Sequence, residues 1–329
     1  MAFANPTVSD IVATTIQSRS KTIADNVTKN NAILSRLNAA GKVRPISGGN
    51  VIFEELSFAE NPNGGFYSGY DLLPVAAADV ISAAEYQIKQ YAVPVVISGL
   101  EQLQNSGKEA LIDLMEGRIQ VAESTMANQL STSIYGDGTA AGGKSVTGLG
   151  AAVPTAPAVG TYGGIDRATW AFWRSQAFDA KVNGGATGGF TAANIQGFMN
   201  TLWAKLVRGS DRPDLIVMDN GLWSTFMASL QPQQRFMDPK SASLGFPTIK
   251  FMDADVVLDG GIGGACPTNT AFFLDTKYIS WRPHKDRNMV PLSPDRRYSI
   301  NQDAEVQILA WAGNLTSSGA QFQGRLFTT

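Results

Sequence analysis

The chain has 329 residues, 44% of them hydrophobic, and a net charge of −2. That length and apolar content support one large domain or two ordinary ones with real cores, and exclude wholesale disorder. The near-neutral charge excludes a strongly basic nucleic-acid surface, and a single cysteine, Cys266, excludes an intrachain disulfide and a cysteine-based zinc site.

Charged residues, at 16%, are sparse, and glycine, at 33 residues, is somewhat abundant. This suits a protein that covers much of its surface with copies of itself, and equally a neutral, Gly-rich soluble protein. His284 is the only histidine, so any Ser–His or Cys–His relay must use it. It sits among basic residues in SWRPHKDRN (280–288), a poor place for a neutral, poised imidazole. MAFANPTVSD lacks the basic and apolar regions of a signal peptide, and no apolar run reaches the roughly 18 residues of a membrane span. The expectation is a soluble protein of a reducing compartment, with no membrane partner.

The first 45 residues read as a helical arm. Thr7 and Ser9 are candidate N-caps, Val12, Ile16, Ile23 and Val27 recur at roughly helical spacing, and AILSRLNAAG (32–41) forms a short helix ending at Gly41. Such terminal pieces fray unless pinned, and a partner subunit is the simplest pin. Two strand-like runs follow, NVIFEELSFA (50–59) and AAEYQIKQYAVPVVISG (83–99), joined by the aromatic, Gly-rich ENPNGGFYSGYDLLP (60–74). Val51, Phe53 and Leu56 set against Glu54 and Glu55 alternate imperfectly, and Pro94 ends the ladder or marks an edge. A two-stranded arm has too little core to stand alone, so it is expected to pack on a neighbouring subunit.

Leu111, Met115, Ile119, Ala122, Met126 and Leu130 make one apolar stripe, which predicts a helix from about Lys108 to Tyr135. Residues 140–165 read as a Gly/Ala/Pro-rich link. Beyond it the pattern predicts a helix over 191–209 and a buried strand DLIVMD (214–219). Asp219 or Asn220 then caps a helix through 222–230, and strands follow over 248–259, 270–281 and 298–313. This is a mixed α+β body with few βαβ repeats.

GTAAGGKS (138–145) matches the phosphate-loop pattern at every fixed position, and DLIVMD resembles the strand that ends in a metal-holding aspartate. The context is wrong on both sides. A helical stripe precedes the loop, and VTGLGAAVPTAPAVG (146–160) cannot form the helix whose N-terminus would hold a phosphate. Nucleotide binding through Lys144 is therefore not expected. DGGIGG (259–264) misses the dinucleotide spacing, Glu54 and Glu55 point to opposite faces of a strand, and the aromatics of RATWAFWRSQAF (167–178) suit packing better than base stacking.

The order of helical arm, extended hairpin, long spine helix, Gly-rich link, mixed body and late long strands resembles the major capsid protein of tailed bacteriophages, the HK97-like fold. TYGGIDRATWAFWRSQ (161–176), PDLIVMDNGLWSTFMASLQPQQRF (213–236) and QDAEVQILAWAGNLTSSGAQFQGRL (302–326) carry the resemblance. It implies an N-terminal arm at 1–45, an extended hairpin loop at 46–99 and the spine helix of a peripheral domain at 100–137. An axial domain follows at 138–280, then peripheral strands and a C-terminal return at 281–329. It also implies self-assembly into hexamers and pentamers of an icosahedral head around double-stranded DNA, in the virion and assembled in the host cytoplasm, with no enzyme activity and no cofactor. A separate scaffolding protein and a portal are implied as partners, a decoration protein is an optional one, and contact with packaged DNA is non-specific. An encapsulin-like compartment shell is the alternative; a P-loop nucleotide hydrolase is a distant third.

Charge clusters add to this reading. Between 46 and 98, six acidic residues including Glu54, Glu55 and Glu85 face Lys89 alone, a net of −5. Residues 277–297, with Arg282, Arg287, Arg296 and Arg297 among their basic side chains, carry +4, as does the first 45-residue stretch. The acidic hairpin is expected to dock across a neighbour's basic arm and late segment, with Phe66, Tyr67, Tyr70 and Leu72 at its tip as apolar anchors. Lys89 could in principle crosslink to Asn288 or Asn301, but nothing in the sequence specifies that chemistry.

Overall fold

A computed structural model describes residues 32–104, 108–230, 248–260, 264–292, 297–298 and 303–329. The expected caps and apolar positions of the first 31 residues lie outside them. The strands in chain order are β1 (Val51–Ser57), β2 (Ile81–Gln87), β3 (Lys89–Ser98), β4 (Thr161–Tyr162), β5 (Ile165–Asp166), β6 (Gln176–Asp179), β7 (Leu215–Met218), β8 (Thr248–Phe251), β9 (Ala254–Leu258), β10 (Thr270–Leu274), β11 (Ile279–Pro291), β12 (Arg297–Tyr298), β13 (Ala304–Ser317) and β14 (Gly324–Phe327). Beside the β1–β2 hairpin stand a mixed six-stranded sheet, ordered β6-β14-β10-β7-β9-β8, and a four-stranded antiparallel sheet in which β13 pairs with β11 and β12 on one side and β3 on the other.

The six-stranded sheet explains why its strands read as unbroken apolar runs: both faces are covered. Ile216 and Met218 on β7, with Ala271 and Phe273 on β10, face a core built with helices Ile195–Leu206 and Asn220–Ser229. The alternate residues Leu215, Val217, Phe272 and Leu274 face a second core, shared with the spine helix and the hairpin base. The spine helix runs Lys108–Ile134, with Ala122, Met126, Leu130 and Ile134 buried; the side chains of Leu111 and Met115 lie outside the described residues.

Four expectations are corrected. The run 83–99 is two strands that part at Ile88: β2 pairs with β1, whereas β3 joins β13, with Pro94 on an edge strand opposite Ile308. The run 248–259 folds back on itself as β8 and β9 around Met252, at φ 52°. The run 270–281 breaks where the Asp275 carboxylate accepts the Lys277 amide at 3.0 Å, and the chain passes from the six-stranded sheet to β11. The late strand spans Ala304–Ser317 rather than 298–313, and the C-terminal β14 returns to the six-stranded sheet beside β6 and β10. In addition, residues 32–46 are pinned on their own chain: Ile33 and Leu37 are buried, Arg36 meets Asp255 at 3.2 Å, and Ile46 bonds backbone-to-backbone with Pro283 and Lys285 beside β11.

Two positions test this packing. A Cβ at Gly148 would lie 2.1 Å from the Ile134 carbonyl oxygen, which is backbone and cannot swing away. Gly148→Ala is expected to lower stability by about 2–3 kcal/mol, read as a lower denaturant midpoint of the unassembled chain. The Asp275 carboxyl is raised from 3.8 to about 6, first by burial and then by the nearby Asp214 and Asp211. A raised acid binds its proton more tightly in the folded state, so its contribution to stability falls as pH rises from about 4 to about 6. Asp275→Asn keeps an acceptor for the Lys277 amide and is expected to abolish that decline in a pH series of unfolding curves.

Candidate subunit-contact surface

The base of the β1–β2 hairpin is fastened to its own chain. Strand parity puts Ile52, Glu54 and Leu56 of β1, and Ala84 and Tyr86 of β2, on the inner face, while Phe53, Glu55, Ile81 and Glu85 face outward and are exposed. Tyr86 Oη donates to the Ser317 carbonyl at 2.6 Å, and Thr316 Oγ1 donates to Glu54 Oε1 at 2.9 Å. Arg282 Nε lies 3.5 Å from the same Glu54 oxygen, an ion pair rather than an aligned hydrogen bond. Asn314 Nδ2 donates to the Gln87 carbonyl at 2.8 Å, at the point where the chain turns from β2 into β3, and its Oδ1 accepts the Thr147 amide at 2.9 Å.

Burial pushes the Tyr86 phenol well above its ordinary range, so it remains a donor at any physiological pH. Its ring meets Tyr162, whose phenol burial raises to about 12, edge-on at 5.4 Å. Phe58, where the chain leaves β1, packs at 5.6 Å against Trp170 and at 6.1 Å against Phe172. Trp173 is buried and donates its indole N–H to the Tyr162 carbonyl, so this aromatic run is packing, not a base-stacking platform.

The hairpin's far end is different in kind. Residues 58–80 contain neither helix nor strand, and Phe66, Tyr67, Tyr70, Leu72, Leu73 and Val75 are all exposed, Phe66 and Tyr70 completely. Single exposed apolar side chains are ordinary, but six within ten positions form an apolar surface that asks for a partner. The loop is tied across its neck by Asn63 Nδ2 donating to the Ala76 carbonyl at 2.5 Å.

The expected contact residues therefore separate. Glu54 and Arg282, expected on opposite sides of a subunit boundary, meet inside one chain, because Glu54 falls on the inner face of β1. Lys89 Nζ donates to the Gly143 carbonyl of its own chain at 2.6 Å. Glu55 is free on the outer face, and Arg287 is exposed on an irregular stretch of β11. Arg297 lies on β12 with its side chain outside the described residues, as is the whole of Arg296. The residues that sequence reasoning missed are Tyr86, Asn314 and Thr316; the signal for Asn314 and Thr316 was a cluster of polar residues closing an otherwise apolar strand, and Tyr86 on β2 carried none.

GTAAGGKS folds as a tight turn after the spine helix. The amides of Gly143, Lys144 and Ser145 all donate to the carbonyls of Thr139 and Ala140. Those amides thus point at the chain's own oxygens and make no phosphate cradle. Asp219 is likewise committed, accepting the amides of Gly221, Leu222 and Asn269. His284 Nδ1 accepts the Asp286 amide at 3.2 Å, and burial raises the Cys266 thiol so that it stays protonated. Among the described residues no cluster of His, Cys, Asp and Glu could hold a metal, and no helix is long and apolar enough to cross a membrane.

No protein-family model matches the sequence, and no curated protein matches it. Solved structures do. The capsid asymmetric unit of cyanophage A-1(L) superposes with a TM-score of 0.69 at 17% identity, covering 95% of this chain and 96% of that one. The capsid of a native GTA particle gives 0.63 at 14% identity, covering 95% of each chain. The holo-SrpI encapsulin complex from Synechococcus elongatus PCC 7942 gives 0.54 at 10% identity, covering 97% and 95%. The chain has the HK97-like fold these shells share, over nearly its full length.

Tyr86→Phe removes two buried hydrogen bonds, the one donated to the Ser317 carbonyl at 2.6 Å and the one accepted from the Ser317 amide at 3.3 Å. It is expected to cost about 1–3 kcal/mol and to speed hydrogen exchange in β1 and β2 selectively.

Proposed function

We propose that this chain is a shell-forming subunit, the major capsid protein of a tailed-phage type of particle. In this reading it assembles with itself into hexamers and pentamers of an icosahedral head around double-stranded DNA, and its role is structural rather than enzymatic. One observation carries the reading beyond the fold: a hairpin fastened at its base presents an unpartnered aromatic-apolar tip. The contact set it proposes is Phe66, Tyr67, Tyr70 and Leu72 as anchors, with Glu55 and Arg287 as exposed charges at the rim. The likeness to an encapsulin complex supports a second reading, a compartment shell around protein cargo.

The test is negative-stain microscopy with light scattering on the purified chain, alone and with a co-expressed scaffold. Closed shells or capsomer rings are expected. The triple variant Phe66→Ala, Tyr70→Ala, Leu72→Ala is expected to stay unassembled while keeping the wild-type unfolding curve, since none of the three side chains is buried in the chain itself. Wild-type yields of shells from that variant would remove the tip from the contact. Nuclease-protected DNA within the particles supports the phage head, and a co-purifying protein cargo supports the compartment.

A further inference from the structure

The sequence holds three Asn-Gly pairs, Asn63-Gly64, Asn183-Gly184 and Asn220-Gly221, and the fold treats them differently. Glycine after asparagine is the pairing most open to self-deamidation, because no side chain shields the following amide nitrogen. The Gly64 nitrogen attacks Asn63 Cγ, a C–N bond forms, and the amide nitrogen of the side chain leaves as ammonia with the displaced proton. Water then opens the cyclic imide at either carbonyl, giving aspartate or isoaspartate. The step needs a backbone free to bring that nitrogen onto Cγ.

Two of the pairs are locked. Asn183 donates its amide to the Asp179 carbonyl at 2.8 Å and accepts the Asp179 amide on Oδ1 at 2.9 Å. Gly184 is packed so closely that a Cβ there would lie 2.6 Å from the Phe198 ring. Asn220 opens the helix Asn220–Ser229, the Gly221 amide is held by the Asp219 carboxylate, and Asn220 lies against the backbone of Gly260. Asn63-Gly64 instead sits in the irregular 58–80 loop, with Gly64 exposed and its amide held only by a 3.2 Å bond to the Asn61 carbonyl. Local opening there breaks no core contact.

We infer that Asn63 is a site of spontaneous deamidation, and that its conversion releases the neck of the loop. Asn63 Nδ2 is the donor that ties residue 63 to the Ala76 carbonyl. Either product replaces that donor with a carboxylate, which accepts only and repels the carbonyl oxygen. It also adds a negative charge to a segment that already carries −5. This inference stands on the loop's geometry and holds whether or not the chain forms shells.

The experiment incubates the purified full chain at mildly acidic and mildly alkaline pH and follows each Asn-Gly peptide by mass spectrometry. Conversion is expected first and several-fold faster at Asn63 than at Asn183 or Asn220, and faster at the higher pH. Gly64→Ala, whose Cβ meets only the Asn61 carbonyl at an ordinary 3.5 Å, is expected to suppress it without changing the fold. Asn63→Asp is expected to raise protease cleavage within residues 60–77 over the fresh wild type. Equal rates at the three pairs, an unaltered rate in Gly64→Ala, or no conversion would overturn the site; unchanged cleavage in Asn63→Asp would overturn the release.

Discussion

The end of β13 is where this structure is tied together. A two-stranded hairpin has no core of its own, and here its base is fixed by three polar side chains reaching between strands: Tyr86 to Ser317, Thr316 to Glu54, and Asn314 to Gln87. Each net hydrogen bond contributes only about 1 kcal/mol, yet leaving one such buried group unsatisfied costs about 1–3 kcal/mol, so the set specifies one seating more than it adds stability. The same strand is paired along both edges, with β3 on one and β11 and β12 on the other. β3 pairs only Ala304–Gly313, so at Asn314–Ser317 the strand is held by β11, and its continuation into the doubly paired stretch gives the hairpin its direction.

Stiffness at the base and freedom at the tip answer different physical demands. The inner-face residues Ile52, Leu56, Ala84 and Tyr86 belong to the core that the spine helix shares with one face of the six-stranded sheet. Moving the hairpin as a whole therefore disturbs packing that reaches to Leu215 and Phe272. Beyond Phe58 nothing comparable holds the chain, and the loop's ordering must be met by whatever it binds. A partner that buries the tip sets the loop's shape while the base sets where the tip is offered.

Much of this was legible because periodicity reports burial directly. The described part of the spine-helix stripe, Ala122, Met126 and Leu130, and the apolar run of β7 followed by the Asp219 cap appear where the sequence puts them. The strand breaks were not legible, for a physical reason: β2 and β3 form one extended run in sequence, and a change of pairing partner at Ile88 leaves no mark in composition. The turn at Met252 is similarly hidden, since it places a methionine in a backbone conformation that usually calls for glycine. The inner face of β1 was misread because Glu54 occupies a position where an apolar residue is the rule. Only the distant Thr316 and Arg282 explain a carboxylate there.

That misreading changes which force carries a subunit contact. With Glu54 paired to Arg282 inside the chain, the hairpin's remaining acids, Glu55, Glu60, Asp71, Asp79 and Glu85, are all exposed. Exposed ion pairs contribute about 0–1 kcal/mol each and are screened by salt. Fully burying an aromatic or leucine side chain contributes about 1.5–3 kcal/mol, and the tip offers six apolar side chains. Per side chain the apolar term is therefore the larger, and it is what must offset the cost of ordering the loop. In the proposed contact the acidic face is the element suited to steering approach and register, and Phe66, Tyr70 and their neighbours are the ones suited to supplying affinity.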